Sequence, residues 1–358
     1  MRITVISARE LSAQEVRSWS VLQDSNPALS SPYFSPQFTQ AVAAVRDDVF
    51  VGVMEEAGQI VGFFPFQKGP MRMGRPVGGA LSDFQAVIAA ADAQWDAQEL
   101  VAKCGLALWD FDHLLSYQAP FACYHRVKAD SPYLDLSNGY EAYASARRED
   151  GSEQINKSGD LPRKLRKLER EIGPVEFAAH KTDEEALQLL LKWKSQQYLS
   201  SLTTDVFSYQ WTVALLRRLL EIQTPEFAGM LSVLSINGRI IAAHLGMRSK
   251  THWHYWFPSY DHELAKYSPG LLLLLRMAQA APQMGIKRID LGKGESHYKN
   301  RLASGQMEIA EGSVLVKPWA SLWRSVRRQT ESWSGTFGSV GAVPAKLLGR
   351  LDRKLRFR

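Results

Sequence analysis

Cysteine is scarce. Cys104 and Cys123 are the only two in 358 residues, with no paired spacing and no histidine cluster beside them, which argues against a disulfide framework or a structural zinc site and fits a reducing cytoplasm. Long apolar runs are missing as well. The longest centres on Leu271 to Leu275, far short of the roughly 18 residues a membrane span needs. The N-terminal stretch Met1-Arg2-Ile3-Thr4-Val5-Ile6-Ser7 meets Arg9 and Glu10 before a signal-peptide core could form, so it reads as a first strand. Most of the chain also lacks an excess of either charge. From Lys317 onward there are 10 Lys and Arg against 2 Asp and Glu, a net of +8, whereas the preceding residues hold 33 against 35, a net of −2. A nucleic-acid-binding domain would carry a basic face through its folded body, so the near-neutral body argues against nucleic acid binding there and leaves the positive charge to the tail.

What is present suits a globular protein. Apolar residues make up 45% of the chain and charged residues 22%, average for soluble folds, over a length that suggests two domains. An internal repeat supports that count, at a constant offset of 180 residues. Val51-Gly52-Val53-Met54-Glu55-Glu56-Ala57-Gly58-Gln59-Ile60-Val61 lies over Leu231-Ser232-Val233-Leu234-Ser235-Ile236-Asn237-Gly238-Arg239-Ile240-Ile241. Both read as strand, glycine turn, strand, and Asn237-Gly238 is a favoured two-residue hairpin turn. Gly105 to Phe111 lies over Gly285 to Leu291 in the same register, each following a helix-like segment and carrying an Asp, Asp110 and Asp290. Two homologous halves with helices and a mixed sheet follow, an α+β layered fold.

The second half is the clearer one. Leu231 to Ile236, Arg239 to Arg248 and His252 to Phe257 are three successive strand-like runs. Ser268-Pro269-Gly270 then opens a leucine-rich helix, with Ser as N-cap and Pro at the first helical position. The helix ends near Pro282 and Gly285, and the next strand carries Asp290 before the turn Gly292-Lys293-Gly294.

From Leu161 to Arg301 the sequence resembles the CelD-like (BioF2-like) acetyltransferase domain of the GNAT superfamily, with FemX-type transferases as distant relatives. The blocks that carry the resemblance are Leu161-Pro162-Arg163-Lys164-Leu165-Arg166-Lys167-Leu168, Trp193-Lys194 with Gln197-Tyr198, Ala242-Ala243-His244, Trp256-Phe257-Pro258-Ser259-Tyr260-Asp261, Tyr267-Ser268-Pro269-Gly270, and Asp290-Leu291-Gly292-Lys293-Gly294 with Tyr298-Lys299. The first half matches less sharply, through Phe63-Phe64-Pro65-Phe66 and Leu81-Ser82-Asp83-Phe84. The resemblance implies a tandem double-GNAT fold, with a degenerate half at 1–155, a catalytic half at 156–318 and a basic tail at 319–358.

It also implies acyl transfer from acetyl-CoA, with no metal, to an amine on a saccharide or nucleotide-sugar in bacterial surface-polysaccharide synthesis. The coenzyme's pyrophosphate would lie at the helix N-terminus formed by Ser268, Pro269, Gly270, Leu271 and Leu272, with Lys266 adding charge. His244 is the first candidate for the base, its alternative being a core histidine bound to a backbone carbonyl. Asp290 would act directly or orient His244, or else cap its loop, and Tyr298 would protonate the leaving thiolate. Trp193, Lys194, Gln197 and Tyr198, together with Trp256, Lys299 and Asp83, are the candidates for holding the acceptor. Lys194 shares a helix face with Gln197 and Tyr198 by spacing. Glu295 and the His252/His254 pair are further possibilities for the base.

Two other classes stay open at this point: a FemX-like aminoacyl-tRNA transferase for peptidoglycan, and a non-catalytic regulator that binds a ligand or nucleotide messenger. For the latter, Arg324 and Arg328 form an R-x-x-x-R pattern in the tail. The tail also places Trp319, Leu322, Trp323 and Val326 at helical spacing beside Arg324, Arg327 and Arg328. That pattern suits either packing on the body or peripheral contact with an anionic membrane surface.

Overall fold

The computed structural model describes residues 1–146, 160–294 and 296–317. Glu295 and the tail residues from 318 onward, including Trp319, Trp323, Arg324 and Arg328, lie outside the described residues.

The first half runs β1 (Arg2–Ser7), α1 (Ala13–Ser25), α2 (Pro36–Val45), β2 (Val49–Glu56), β3 (Gln59–Lys68), β4 (Met73–Arg75), β5 (Ile88–Ala89), α3 (Ala97–Lys103), β6 (Leu108–Leu115), β7 (His125–Asp135) and α4 (Tyr140–Ser145). The second half runs α5 (Asp160–Glu171), β8 (Val175–Ala178), α6 (Glu184–Ser200), α7 (Gln210–Glu221), β9 (Phe227–Ile236), β10 (Arg239–Ser249), β11 (His252–Tyr260), α8 (Pro269–Ala280), β12 (Arg288–Asp290), α9 (His297–Leu302) and β13 (Gly305–Leu315). The repeat read from the sequence is present in the backbone. Hairpins β2–β3 and β9–β10 turn at Ala57-Gly58 and Asn237-Gly238, with φ of 49° and 80° in the first and 50° and 80° in the second. Positive φ at both central positions is the turn whose twist matches that of the strands, and it is the reason glycine recurs there.

One mixed sheet joins the halves, in the order β1-β2-β3-β4-β6-β13-β7-β12-β11-β10-β9-β8, with β5 on β3. The junction is reciprocal. β13, from the second half, lies between β6 and β7 of the first, and β7 pairs on its other edge with β12 of the second. The tandem α+β architecture is therefore built with each half lending a strand to the other.

Three apolar layers follow from the side-chain pattern. α8 is apolar nearly all round, and its buried Leu272, Leu273, Leu274 and Met277 pack with Leu161 and Leu168 of α5 against one face of β9–β12. α5 exposes Arg163, Arg166, Lys167 and Arg170 and buries Leu161 and Leu168, the division expected of an amphipathic surface helix. Phe64, Phe66, Trp109 and Phe121 form the layer under α3 in the first half. The third layer is common to both halves. α1, α2, α6 and α7 merge their apolar sides into one core containing Trp19, Phe38, Leu190, Leu216 and Phe257, and the Arg46 guanidinium lies 5.0 Å over the Trp211 ring across the seam. Among the described residues no helix is long and apolar enough to cross a membrane.

The strand exchange gives a direct expectation for folding. Fragments 1–146 and 160–358 each lack a strand their sheet needs, so neither should unfold cooperatively alone. Refolded together they should return as a 1:1 complex with one thermal transition by circular dichroism and gel filtration. A cooperative transition in either fragment alone would contradict the exchange.

Candidate functional site

The site begins where two parallel strands part. β11 and β12 pair only through His252–Arg288, Trp253–Ile289 and His254–Asp290. β12 then ends in the Gly292 turn, where φ is 73°, while β11 runs on to Tyr260. Beyond His254 the β12-side edge of β11 has no strand beside it, so the peptide groups aimed that way have no ladder partner. The pairing of β11 with β10 also slips there, from Leu245–Phe257 to Met247–His254. One extra residue thus sits on β11 at Tyr255–Trp256, a β-bulge that re-aims the side chains after it.

His244 is what holds the bulge. Its Nε2 accepts the Trp256 N–H at 3.1 Å, its Nδ1 lies 3.5 Å from Ser232 Oγ, and its ring stacks on Tyr255 at 4.7 Å between centroids. It has no exposed surface, and burial pulls its pKa down to about 3. The histidine expected as a base is thus a neutral acceptor inside the core, for a backbone N–H and not for a carbonyl. Gly246 makes the arrangement possible, since a Cβ there would lie 2.1 Å from the His254 carbonyl oxygen.

Strand alternation puts His254 and Tyr255 on opposite faces, and the bulge then leaves Trp256 and Phe257 on the same one. On the α8 face, Tyr255 donates its hydroxyl to the Gly270 carbonyl at 3.2 Å, and burial, with Tyr298 of α9 nearby, holds its pKa well above the usual value. Burial pushes Tyr298 up to about 12, so it keeps its proton. At the start of α8, Ser268 is in the left-handed region at φ 56° and makes no side-chain cap. Its Oγ accepts instead from Lys164 Nζ of α5 at 3.0 Å. Lys266 is exposed, over the Tyr267 ring at 4.8 Å and 3.9 Å from Glu171. Pro269 and Leu272 are buried, with Gly270 and Leu271 half-buried between them. Lys164 brings charge to this helix start, and the sequence signal for it was the Arg-Lys run of α5.

On the other face, His254 has no exposed surface and its Nε2 lies 2.8 Å from Asp83 Oδ2 of the first half. The Asp83 side chain is 27% exposed, so the couple reaches solvent through the carboxylate. Gln85 pins that segment to β6: its Oε1 accepts the N–H groups of Asp112 and His113 at 3.0 Å, and its Nε2 donates to Asp112 at 2.6 Å. Burial pushes the Asp83 carboxyl up, but the hydrogen bond and charge of His254, with His113 and Lys299 behind them, outweigh it and hold the group below its usual range. Tyr33 packs edge-on against both His254 and Trp256, at 5.0 and 5.7 Å.

The remaining candidates divide. Lys194 bonds Gln197 Oε1 at 3.0 Å and the Pro258 carbonyl at 3.2 Å, with its ammonium 5.6 Å over Tyr198. Burial lowers its pKa to about 8, and Tyr198 is raised by burial with help from Asp205 and Asp83. Tyr198 thus faces the Asp83 side of the cleft with Lys194 and Gln197 beside it, and Trp193 is half-buried on the same helix. Lys299 does not stand free to hold an acceptor; it donates to the Gly292 and Lys293 carbonyls at 2.9 Å each, clamping the turn. Asp290 does not orient His244, which faces the other side. It lies 2.7 Å from Arg288 Nε, not aligned for a hydrogen bond, and is buried beside His254. Arg288 in turn lies 3.6 Å over Tyr133.

The first half has a matching but narrow place. β4 and β6 also pair in parallel over two residues only. Beyond them Tyr33, Phe38, Pro76, Val77, Phe84 and Trp109 leave a cavity of about 20 Å³, room for no more than a water.

Residues 156–300 match the acetyltransferase (GNAT) domain family. Among solved structures, FemX aligns with a TM-score of 0.58 at 8% identity, covering 91% of this chain and all of that one (100%). The C-terminal domain (DUF2156) of a candidate lysylphosphatidylglycerol synthetase from Agrobacterium fabrum aligns with a TM-score of 0.52 at 13% identity, covering 89% and 96%. No curated protein matches the chain. At these identities the likeness to solved structures is one of fold.

The buried histidines fix an acid response. In the native state His244 and His252 take protons near pH 3 and 4, both lowered chiefly by burial, against 6.5 unfolded. Between those values the unfolded chain binds more protons, so stability falls as pH drops, by up to about 1.4 kcal/mol per unit for each group. Urea unfolding at pH 7, 6 and 5 should show this slope. His244→Ala should lose about 1–3 kcal/mol at pH 7 by orphaning the Trp256 N–H and should show a shallower slope below pH 6.5. An unchanged slope would return the acid response to other groups.

Proposed function

We propose that this protein transfers an acyl group, acetyl in the simplest case, from coenzyme A to an amine on a saccharide or nucleotide-sugar, as CelD-like acetyltransferases of surface-polysaccharide synthesis would. The observation that carries the reading is the three-residue pairing of β11 with β12, with the bulge at Tyr255–Trp256 immediately beyond it. An extended pantetheine arm can add to the vacant edge of β11 as a strand would, hydrogen-bonding peptide groups that have no ladder partner.

The rest of the surroundings agree. α8 starts at one end of the gap without a side-chain cap, and Lys164 stands at Ser268 beside it. Helix N–H groups and a nearby ammonium suit the pyrophosphate. The thioester would then reach the point of parting, with Tyr298 on the α8 face positioned to give a proton to the departing sulfur. The aromatic and amide groups of Trp256, Tyr198 and Gln197 line the approach from the opposite face and suit a sugar. Catalysis in such a site is mainly positioning of the nucleophile against the thioester carbonyl. The GNAT match over 156–300 supports the reaction type. The polysaccharide setting, and any membrane contact or messenger binding by the tail, belong to the proposal alone.

Calorimetry should find one acetyl-CoA site per chain. Gly270→Glu, which places a carboxylate at the α8 start where an added Cβ would lie 3.2 Å from Tyr260, should abolish binding while the protein stays folded. Tyr298→Phe should bind normally and turn over about 10²-fold more slowly. Two equivalent sites, or a folded Gly270→Glu variant that binds as wild type, would refute the assignment.

A further inference from the structure

We propose that Asp83 and His254, one from each half, form the couple that receives the acceptor's amino group and removes its proton, so the acceptor is a primary amine entering on the face opposite Tyr298. This rests on the reading of the β11–β12 gap as the acyl-CoA site. Four observations carry it. His254 is the last residue of β11 paired to β12, so its side chain stands at the point of parting where the thioester would end. It is wholly buried and spends Nε2 on Asp83 at 2.8 Å, which leaves the partly exposed carboxylate as the part of the couple a substrate touches. Asp83 Oδ1 is 4.0 Å from His113 Nε2 and has no hydrogen-bond donor among the described residues. Finally, Gly292 lies against this carboxylate: a Cβ there would sit 3.1 Å from Oδ2, so the turn's missing side chain keeps the space beside Asp83 clear.

Both signs of charge surround the couple, and the Asp83 carboxylate is the group open to a cation. Asp290 from β12, Asp112 and His113 from β6, Lys299 from α9 and Tyr33 from the loop before α2 all face it. The two lysines nearby are engaged, Lys299 with turn carbonyls and Lys293 with Glu311 and the Asp112 carbonyl. Asp83 stays ionised at neutral pH and is the group an ammonium would pair with.

The acceptor's ammonium gives one proton to Asp83, whose other oxygen stays hydrogen-bonded to His254. The freed amine attacks the thioester carbonyl carbon, the C–N bond forms and the C–S bond breaks with its electron pair going to sulfur. Tyr298 protonates the sulfur and is reprotonated from solvent. The second amine proton and the one on Asp83 leave through the exposed edge of the carboxylate. Asp83 is the catalytic residue; His254 is a positioning residue that holds it.

The test uses the full chain with D-glucosamine as the amine probe. Asp83→Asn should keep the acetyl-CoA affinity of wild type within about twofold and lose about 10²-fold in thiol release. Asp83→Glu, which keeps the charge but moves it, should bind acetyl-CoA and lose turnover as well, separating the effect from misfolding. His254→Gln should lose less and should shift the acid limb of the pH–rate profile. In histidine-labelled protein saturated with coenzyme A, glucosamine should shift the His254 imidazole resonances in wild type and not in Asp83→Asn. Full turnover in either Asp83 variant, or wild type showing neither glucosamine turnover nor a His254 shift, would overturn the couple. Failure of wild type to bind acetyl-CoA would instead overturn the reading of the gap.

Discussion

The early parting of β11 from β12 is the constraint on which the rest of the structure depends. A parallel pair normally continues its ladder until one strand runs out, and here β12 is only three residues long. The vacant edge would be unfavourable in a closed core, and the fold makes it tolerable by leaving a gap there. The bulge belongs to the same device. It needs a residue to take the Trp256 N–H and a neighbour small enough to let the strands close, and His244 and Gly246 supply these. Substituting either would disturb the gap without touching any group that does chemistry.

The second constraint is the exchange of β7 and β13. Because each half lends a strand, the seam between halves is a continuous backbone ladder and not a side-chain interface that could slide. That rigidity matters for Asp83. A hydrogen bond of 2.8 Å between residues 171 apart in sequence requires the two halves to keep their relative position. The common core of α1, α2, α6 and α7 secures the same seam from one side. The two halves are thereby unequal partners in one site: the second carries the gap and the helix start, while the first, its own gap filled by aromatic side chains, carries the carboxylate.

Much of this was legible in the sequence where local chemistry leaves a mark. Both hairpin turns announced themselves through glycine at a position of positive φ, and the 180-residue offset followed from them. Ser268-Pro269 gave the start of α8 to the residue. What was hidden depends on pairing between distant strands. No residue of β7 or β13 shows that it lies next to a strand of the other half. His244 was expected as a base, and its bond to the Trp256 N–H depends on a bulge in the neighbouring strand, which leaves no strong sequence signal. His254 was noticed only as a further possibility for the base, paired with His252. Its partner Asp83 was visible only through the resemblance of Leu81-Ser82-Asp83-Phe84 to a family block. Lys299 and Ser268 were named from the sequence, but the groups they bond, turn carbonyls and Lys164, are fixed by tertiary contacts that spacing cannot reveal.

The central claim is that the vacant edge of β11 receives an extended ligand arm. Hydrogen exchange on the full chain with and without acetyl-CoA reads this at the backbone. The account predicts slowed exchange at the amides of Tyr255 to Ser259 and in the first turn of α8, with no change along Met73 to Val77 in the first half. Protection along Met73 to Val77, or saturation by acetyl-CoA with no protection of β11, would contradict it.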